Sequence, residues 1–390
     1  MGVRHPADPV PQRHAVRWLF PLRHRRCAAP RRAAQRGVTG PDSAGEISAP
    51  ALEHVAIWRE VYDTLYLDGE PWGRLGDDFR GWDSAYDGAP IPEADMRSWR
   101  DTTVARILEL SPRQVVEIGV GGGLLLALVA PHVQHYTGTD FSPSAIEILQ
   151  RRLNADRPEL TDRVQLEVTA AHERARLLRA GPADLVVLNS VAQYFPDLDY
   201  LAAVVATAAE LAGPTGAVLV GDVRCEPLRE HFAKDVARAR GADANDLAPA
   251  AARVLATDRE LFVAPEWFAT TARRLGLRCQ IRCKQGPDNE LTRYRYDVVL
   301  AGPQRPVIDA GAAPTVPWLD AQDKLDPRAP VRIVGIPNRR LTGRGPDPDR
   351  PLGVTAGVRS VMRWSQTDPT TLDLVLVPAS AGPGVIITER

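Results

Sequence analysis

Glu117, Gly119, Gly121, Gly122 and Gly123, followed about twenty residues later by Asp140, are the residues whose types and spacing bear most directly on chemistry. Clustered glycines let a backbone turn tightly and approach a ligand closely. A carboxylate accepts hydrogen bonds and can hold a pair of neighbouring hydroxyls. The interval between glycines and acid is what a helix needs to return the chain to a second strand, whose tip reaches a ribose. A nucleoside ligand is therefore expected, the plainer alternative being glycines that serve a tight turn and nothing more.

Such residues need a strand and a helix to position them. Residues 114–118 (QVVEI) form a short β-branched run and residues 124–130 (LLLALVA) an apolar, helix-forming one, so the glycines sit at a strand-to-helix turn. After Asp140, Ser142 and Pro143 read as an N-cap and first-turn proline for a helix over 145–153. Residues 164–168 alternate as a strand, and 183–189 read as a buried strand ending in Asn189 and Ser190. A helix over 200–211 and a fifth strand over 217–222, ending in Asp222, continue the alternation. That order predicts a doubly wound α/β sheet, with ligands at the carboxyl ends of its strands.

The flanks divide by composition. Residues 1–50 are rich in Arg, Pro and Ala, with Asp8 the only acid before Asp42, and read as a disordered tail without a catalytic role. A transit peptide, or an upstream extension before a start near Val38, are the alternatives. Over 51–112 the spacing of Val55, Trp58, Val61, Tyr62 and Leu65 predicts an amphipathic helix, and a second helix spans 96–110. The loop 77–92 between them, dense in Trp, Tyr and Asp, is expected to act as a lid. The core, 113–302, carries a helical insertion at 224–262, with His231 and Phe232 near its start, then a helix at 266–275 and strands at 278–283 and 294–300. A Pro- and Ala-rich linker at 303–330 leads to a small C-terminal α/β appendage at 331–390, with strands at 331–335 and 371–377.

A formal net charge of -1 over 390 residues leaves no electrostatic footprint for nucleic acid. The four cysteines, Cys27, Cys225, Cys279 and Cys283, form neither a disulfide framework nor a zinc spacing, so no metal is expected. No apolar run reaches the eighteen or so residues of a membrane span, and the expected compartment is the reducing cytoplasm.

The order E-x-G-x-G-x-G from Glu117, with G-x-D ending at Asp140, resembles motifs I and II of class I S-adenosylmethionine (SAM) methyltransferases. A dinucleotide fingerprint would require glycine at position 124, where Leu124 stands. Further stretches are similar to one branch of that family, the methyltransferase domains embedded in nonribosomal peptide synthetases: GWDSAYDG at 81–88, GTDFSP at 138–143, NSVAQYFP at 189–196, GDVR at 221–224, NELTRYRYDVVL at 289–300 and GIPNR at 335–339. The resemblance covers about 53–378 and implies a Rossmann-like seven-stranded SAM methyltransferase sheet beneath an N-terminal helical lid. It also implies that Trp82, Ser84, Tyr86, Glu117, Gly119, Gly121, Gly123, Asp140, Phe141, Asn189 and Ser190 contact SAM. Domains of that branch mostly N-methylate the α-amine of a carrier-tethered aminoacyl group, and a minority methylate side-chain oxygens. Two departures stand out: Gly122 and Gly123 replace a common glycine-serine pair, and neither an adenylation core nor a carrier segment is present. A free-standing enzyme is expected, acting on a carrier-bound or a soluble acceptor.

Methyl transfer is an in-line displacement, and alignment alone can supply roughly 7 to 11 kcal/mol of the acceleration. An α-amine has a reference pKa of about 8, so a strong base is optional and polar groups that orient its lone pair suffice. The candidates are Asn189, Gln193, Tyr194 and Asp222 at the carboxyl edge, with Glu290, Tyr294 and His231 from the insertion and the last strands. Tyr194 could equally be a packing residue, Asp222 a cap, His231 an ordinary histidine, and Tyr294 and Tyr296 plain neighbours on one strand face. An alcohol acceptor would need a base, for which His231 is the natural choice. Three readings follow: an N-methyltransferase of amino acids or aminoacyl groups, with a carrier protein or synthetase as partner; a small-molecule O-methyltransferase; and a SAM-binding accessory protein without turnover.

Overall fold

The computed structural model describes residues 47–67, 72–321, 329–349, 358–365, 367–378 and 385–388, so most of the expected tail, 1–46, lies outside the described residues. Two helices lead, α1 (Ala49–Leu67) and α2 (Glu93–Glu109). The alternation predicted from the sequence then unfolds as β1 (Gln114–Ile118), α3 (Leu126–Val129), β2 (His135–Asp140), α4 (Pro143–Asp156), β3 (Val164–Val168), α5 (Arg174–Leu177), β4 (Leu185–Asn189), α6 (Leu198–Ala212) and β5 (Ala217–Cys225). Helices α7 (Arg229–Ala239) and α8 (Leu247–Thr257), the short strand β6 (Phe262–Val263), α9 (Pro265–Arg274), β7 (Arg278–Cys283), α10 (Glu290–Tyr294) and β8 (Arg295–Ala301) complete it.

Seven strands form one sheet in the order β3-β2-β1-β4-β5-β8-β7, with β6 paired beside the end of β5. Strands β1 to β5 are parallel, whereas β8 runs antiparallel to both its neighbours. The chain winds outward from β1 to β3, then crosses back to lay β4 on the other side of β1. The crevice between β1 and β4 is thus the topological switch point, where a doubly wound sheet binds its ligand. Val186, Val187 and Leu188 of β4 are fully buried, as expected of a strand covered by helices on both faces. The caps foreseen for α4 are present: the Ser142 side chain accepts from the Ala145 N–H at 3.0 Å, and Pro143 opens the helix.

The structure corrects the sequence reading at three places. Strand β5 extends to Cys225, so Asp222 lies inside it, at a register shift against β8 between Val220 and Val223, with φ at 64°. A bulge of this kind frees one residue from the ladder and re-aims its side chain. Tyr294 and Tyr296 do not share a strand face, because Tyr294 ends α10 and donates its hydroxyl to Asp235 at 2.5 Å, while Tyr296 lies in β8 and donates to the Val263 carbonyl at 2.9 Å. Asn289 ends the preceding loop by capping α10, which propensity over so short a segment does not announce.

The expected linker carries β9 (Val307–Asp309), β10 (Thr315–Pro317) and α11 (Trp318–Ala321). Beyond it come β11 (Val331–Pro337), α12 (Arg339–Thr342), β12 (Val358–Trp364), β13 (Thr371–Pro378) and β14 (Ile386–Thr388). Strands β10-β11-β13-β12 make a second sheet, and β14 pairs with β9. Ile333, Met362, Trp364 and Leu374 join the same apolar cluster as Phe268 and Val298 of the first sheet, and the Trp364 ring stands edge-on to Tyr296 at 5.5 Å. The C-terminal segment therefore completes the core.

Candidate active site

The glycine loop and Asp140 meet at the switch point. Asp140 accepts from the Gly121 N–H at 3.0 Å through one oxygen and from the Ser142 N–H at 2.9 Å through the other. Burial pushes its carboxyl up to about 6, although those two N–H donors oppose the shift. Glu117, at the end of β1, accepts from the Tyr136 hydroxyl at 2.6 Å, and burial pushes it up to about 8. Gly119 and Gly121 have φ of 83° and 49°. A Cβ on Gly119 would lie 2.4 Å from Val191 Cγ2, and one on Gly121 would lie 2.9 Å from the Tyr66 hydroxyl. The backbone here is bare by necessity.

Above this loop lies a cavity of about 500 Å³, lined by Glu117, Gly119, Gly121, Gly122, Asp140, Phe141, Asn189, Ser190 and Tyr194, with Trp82 and Ser84 from the lid loop. Helix α1, part of the expected N-terminal helical lid, supplies a wall whose side chains were not among the sequence candidates. Trp58, Tyr62 and Tyr66, spaced by four, share one helix face, and each lines the cavity. Trp58 packs against Tyr194 at 4.6 Å, Tyr62 against Tyr194 at 5.5 Å and Phe141 at 6.0 Å, and Tyr66 stacks on Trp72 at 5.2 Å. A stripe of aromatics at helical spacing is visible in the sequence, but what it faces is not. Burial pushes the Tyr194 phenol up to about 12, so Tyr194 serves as a neutral hydrogen-bonding group and part of the aromatic wall.

A buried charged cluster supports the floor. Asp222, fully buried, accepts from Trp99 Nε1 at 3.1 Å, the Ser190 hydroxyl at 2.7 Å and Arg295 Nη1 at 2.5 Å, with Lys284 Nζ 3.6 Å away. Lys284 also donates to Asp297 at 3.1 Å, and Asp297 accepts from the Asp222 N–H at 3.0 Å. Burial alone would raise the Asp222 carboxyl, but Arg295 and Lys284 outweigh it and hold the group below the ordinary carboxylate range. Arg295 carries this cluster to the cavity wall. Among the described residues its side chain makes no hydrogen bond besides that to Asp222.

A second, smaller cavity of about 230 Å³ adjoins the first, and Asp83, Ala85, Arg240, Glu260 and Arg295 line both. Glu260 is held by Arg224 at 2.9 Å, and Arg224 is held by Asp258 at 2.7 Å over the Phe262 ring. Neither Glu260 nor Arg295 stood among the sequence candidates, although Arg295 lies within the 289–300 stretch that carries the resemblance.

Other candidates lie elsewhere. His231 is exposed on α7 and lines neither cavity, so the base expected there is not at the site. Tyr86 faces away from the larger cavity, toward Arg293 and Asp235, because its loop is pinned by Arg240 donating to the Ala85 and Tyr86 carbonyls. Gly123 is a packing glycine: a Cβ there would lie 2.5 Å from Leu149 of α4, and Gly122 takes its expected place in the cavity. Gln193 is buried outside the lining, and its backbone carbonyl accepts from the Leu261 N–H at 2.7 Å. Glu290 lines the smaller cavity alone. Among the described residues, no group of three or more His, Cys, Asp or Glu could hold a metal ion, and no helix is long and apolar enough to cross a membrane.

Residues 116–218, which span the glycine loop, Asp140 and β4, match a family described as a methyltransferase domain. The matched segment is a methyltransferase domain, and it holds the glycine loop and Asp140 of the cavity described above. In sequence the chain is similar to segments of nonribosomal peptide synthetases. It is 35% identical over 352 residues to a probable non-canonical nonribosomal peptide synthetase of Salinispora arenicola, covering 84% of this chain and 4% of that one. It is likewise 35% identical over 311 residues to the chondramide synthase of Chondromyces crocatus, covering 74% of this chain and 8% of the synthase. The chain thus spans less than a tenth of either relative. Among solved structures, a magnesium protoporphyrin IX methyltransferase from Synechocystis with bound SAM is 13% identical with a TM-score of 0.42, covering 65% of this chain and all of that one. The N-methyltransferase NodS from Bradyrhizobium japonicum, in complex with S-adenosylhomocysteine (SAH), is 16% identical with a TM-score of 0.39, covering 63% of this chain and 98% of that one.

The residues present fit SAM. The loop at Gly119 and Gly121 leaves room that a single Cβ would fill, Asp140 can accept from ribose hydroxyls, and the aromatic face of α1 can hold an adenine ring. When bound, SAM supplies an electrophilic methyl group on a sulfonium sulfur.

Proposed function

We propose that the chain N-methylates the α-amine of an amino acid or of an aminoacyl group tethered to a carrier protein, with a synthetase as its partner in the cytoplasm. The observation that carries this reading is the pair Glu260 and Arg295 at the border of the two cavities, an acceptor beside a donor. Glu260 can accept a hydrogen bond from an amine N–H, and Arg295, anchored by Asp222, can donate to the neighbouring carbonyl or carboxylate oxygen. An amine held between them keeps its lone pair free, which is what an amine near its own pKa requires. Asn189, Ser190 and Tyr194 close the polar edge around it. The exposed position of His231 removes the base that an alcohol acceptor would call for. The names of the related synthetases support an amino-acid acceptor.

The test is SAH release by the purified chain, offered free amino acids and aminoacyl-loaded carrier proteins side by side. Product with either supports the reading and tells the two acceptors apart. SAH formed only with phenols or alcohols, or SAM binding with no turnover on any amine, overturns it.

A further inference from the structure

The smaller cavity has a wall that the methylation reading leaves unused. Glu290, 6% exposed, stands there with both carboxylate oxygens 3.1 Å from a single donor, the Ala85 N–H. One N–H shared by two oxygens leaves most of the lone pairs of a buried carboxyl unsatisfied. The cations and the phenol around it are held by other groups: Arg224 by Asp258 and Glu260, Arg295 by Asp222, the Tyr294 hydroxyl by Asp235, and Arg240 donates to the Ala85 carbonyl. Phe232, Val236 and Val254 supply an apolar stretch beside them.

We propose that this cavity receives the side chain of the acceptor, and that Glu290 selects side chains ending in a hydrogen-bond donor, a hydroxyl or an ammonium. The inference rests on the reading of the acceptor as an aminoacyl group. An α-amine and carbonyl held by Glu260 and Arg295 lie at the shared border, so the third substituent of the α-carbon has this space to enter. Apolar methylenes lie along Phe232 and Val254, and the terminal donor meets the carboxyl. Burial holds Glu290 above the ordinary carboxylate range despite Arg295 and the Ala85 N–H, the state of an acid lacking donors.

The experiment compares near-isosteric aminoacyl thioesters of N-acetylcysteamine, with SAM and the full chain: threonyl against valyl, and ornithinyl against norleucyl. The expected kcat/KM, read as SAH release, favours the donor-bearing member of each pair by about tenfold or more. Glu290→Leu should abolish that preference while SAH binding is retained, and Glu290→Gln should keep the threonyl preference and lose the ornithinyl one. Equal rates within both pairs, or a preference that survives Glu290→Leu, overturn the inference and leave the amine reading intact. Should Glu290→Leu fail to bind SAH, the wild-type pairs and Glu290→Gln decide the matter. No SAH with any aminoacyl compound defeats the amine reading, and this inference with it.

Discussion

The Ser190 hydroxyl donates to the Asp222 carboxylate at 2.7 Å, and both residues sit at positive φ, 56° and 64°. Non-glycine residues adopt that region at a cost, and they persist there when their surroundings over-determine them. Here the determinants are Trp99, Lys284 and Arg295 converging on Asp222. Asp222→Ala leaves Arg295 without its carboxylate and Lys284 with Asp297 alone, and is expected to destabilise the fold by about 3 kcal/mol. Ser190→Ala removes one neutral donor and should cost about 1 kcal/mol. Urea unfolding of both variants checks the order; equal losses would show that the carboxylate does not anchor the cluster.

Adjacent glycines should respond differently to the same methyl group. Gly121→Ala adds a Cβ at positive φ against the Tyr66 hydroxyl, whereas Gly122→Ala meets nothing closer than 4.0 Å. SAM affinity is expected to fall about tenfold or more in the first and to change little in the second. Isothermal titration reads both.

Asp140 is expected to tie SAM affinity to pH. Its pKa of about 6 in the free protein is raised by burial, and accepting ribose hydroxyls favours the charged form, so binding lowers that pKa. Affinity is therefore full above pH 6 and declines as pH falls through it. Asp140→Ala should weaken binding at every pH and abolish the decline. A wild-type profile flat between pH 5 and 7 contradicts the assignment.

Glu117 makes a separate prediction. At about 8, its carboxyl is mostly protonated at neutral pH. A cationic ligand alongside favours the carboxylate, so SAM binding at pH 7 should release protons. The observed binding enthalpy then varies with the ionisation enthalpy of the buffer, and Glu117→Gln removes most of that dependence, leaving the smaller share from Asp140.

His231→Ala should leave turnover within about twofold of wild type, because the side chain is exposed outside both cavities. A loss of a hundredfold or more would restore it as a base.

The sequence by itself determined the parts that act locally. A β-branched strand, clustered glycines, an apolar helix and Asp140 all fall within about thirty residues, and their spacing encodes the strand-to-helix turn at the switch point. The alternation of strands and helices was legible for the same reason, since periodicity is written residue by residue. Tertiary structure decided the charged cluster beside the cavity. Arg295, Lys284, Asp222 and Trp99 come from β8, the loop after β7, β5 and α2, and no short-range pattern joins them. The aromatic face of α1 was visible as spacing, yet only packing shows that it closes over the glycine loop. His231 and Glu290 make the same point: a residue's type suggests chemistry, but burial and neighbours settle whether the chemistry has anywhere to happen. Long-range contacts supply both, and a linear pattern does not carry them.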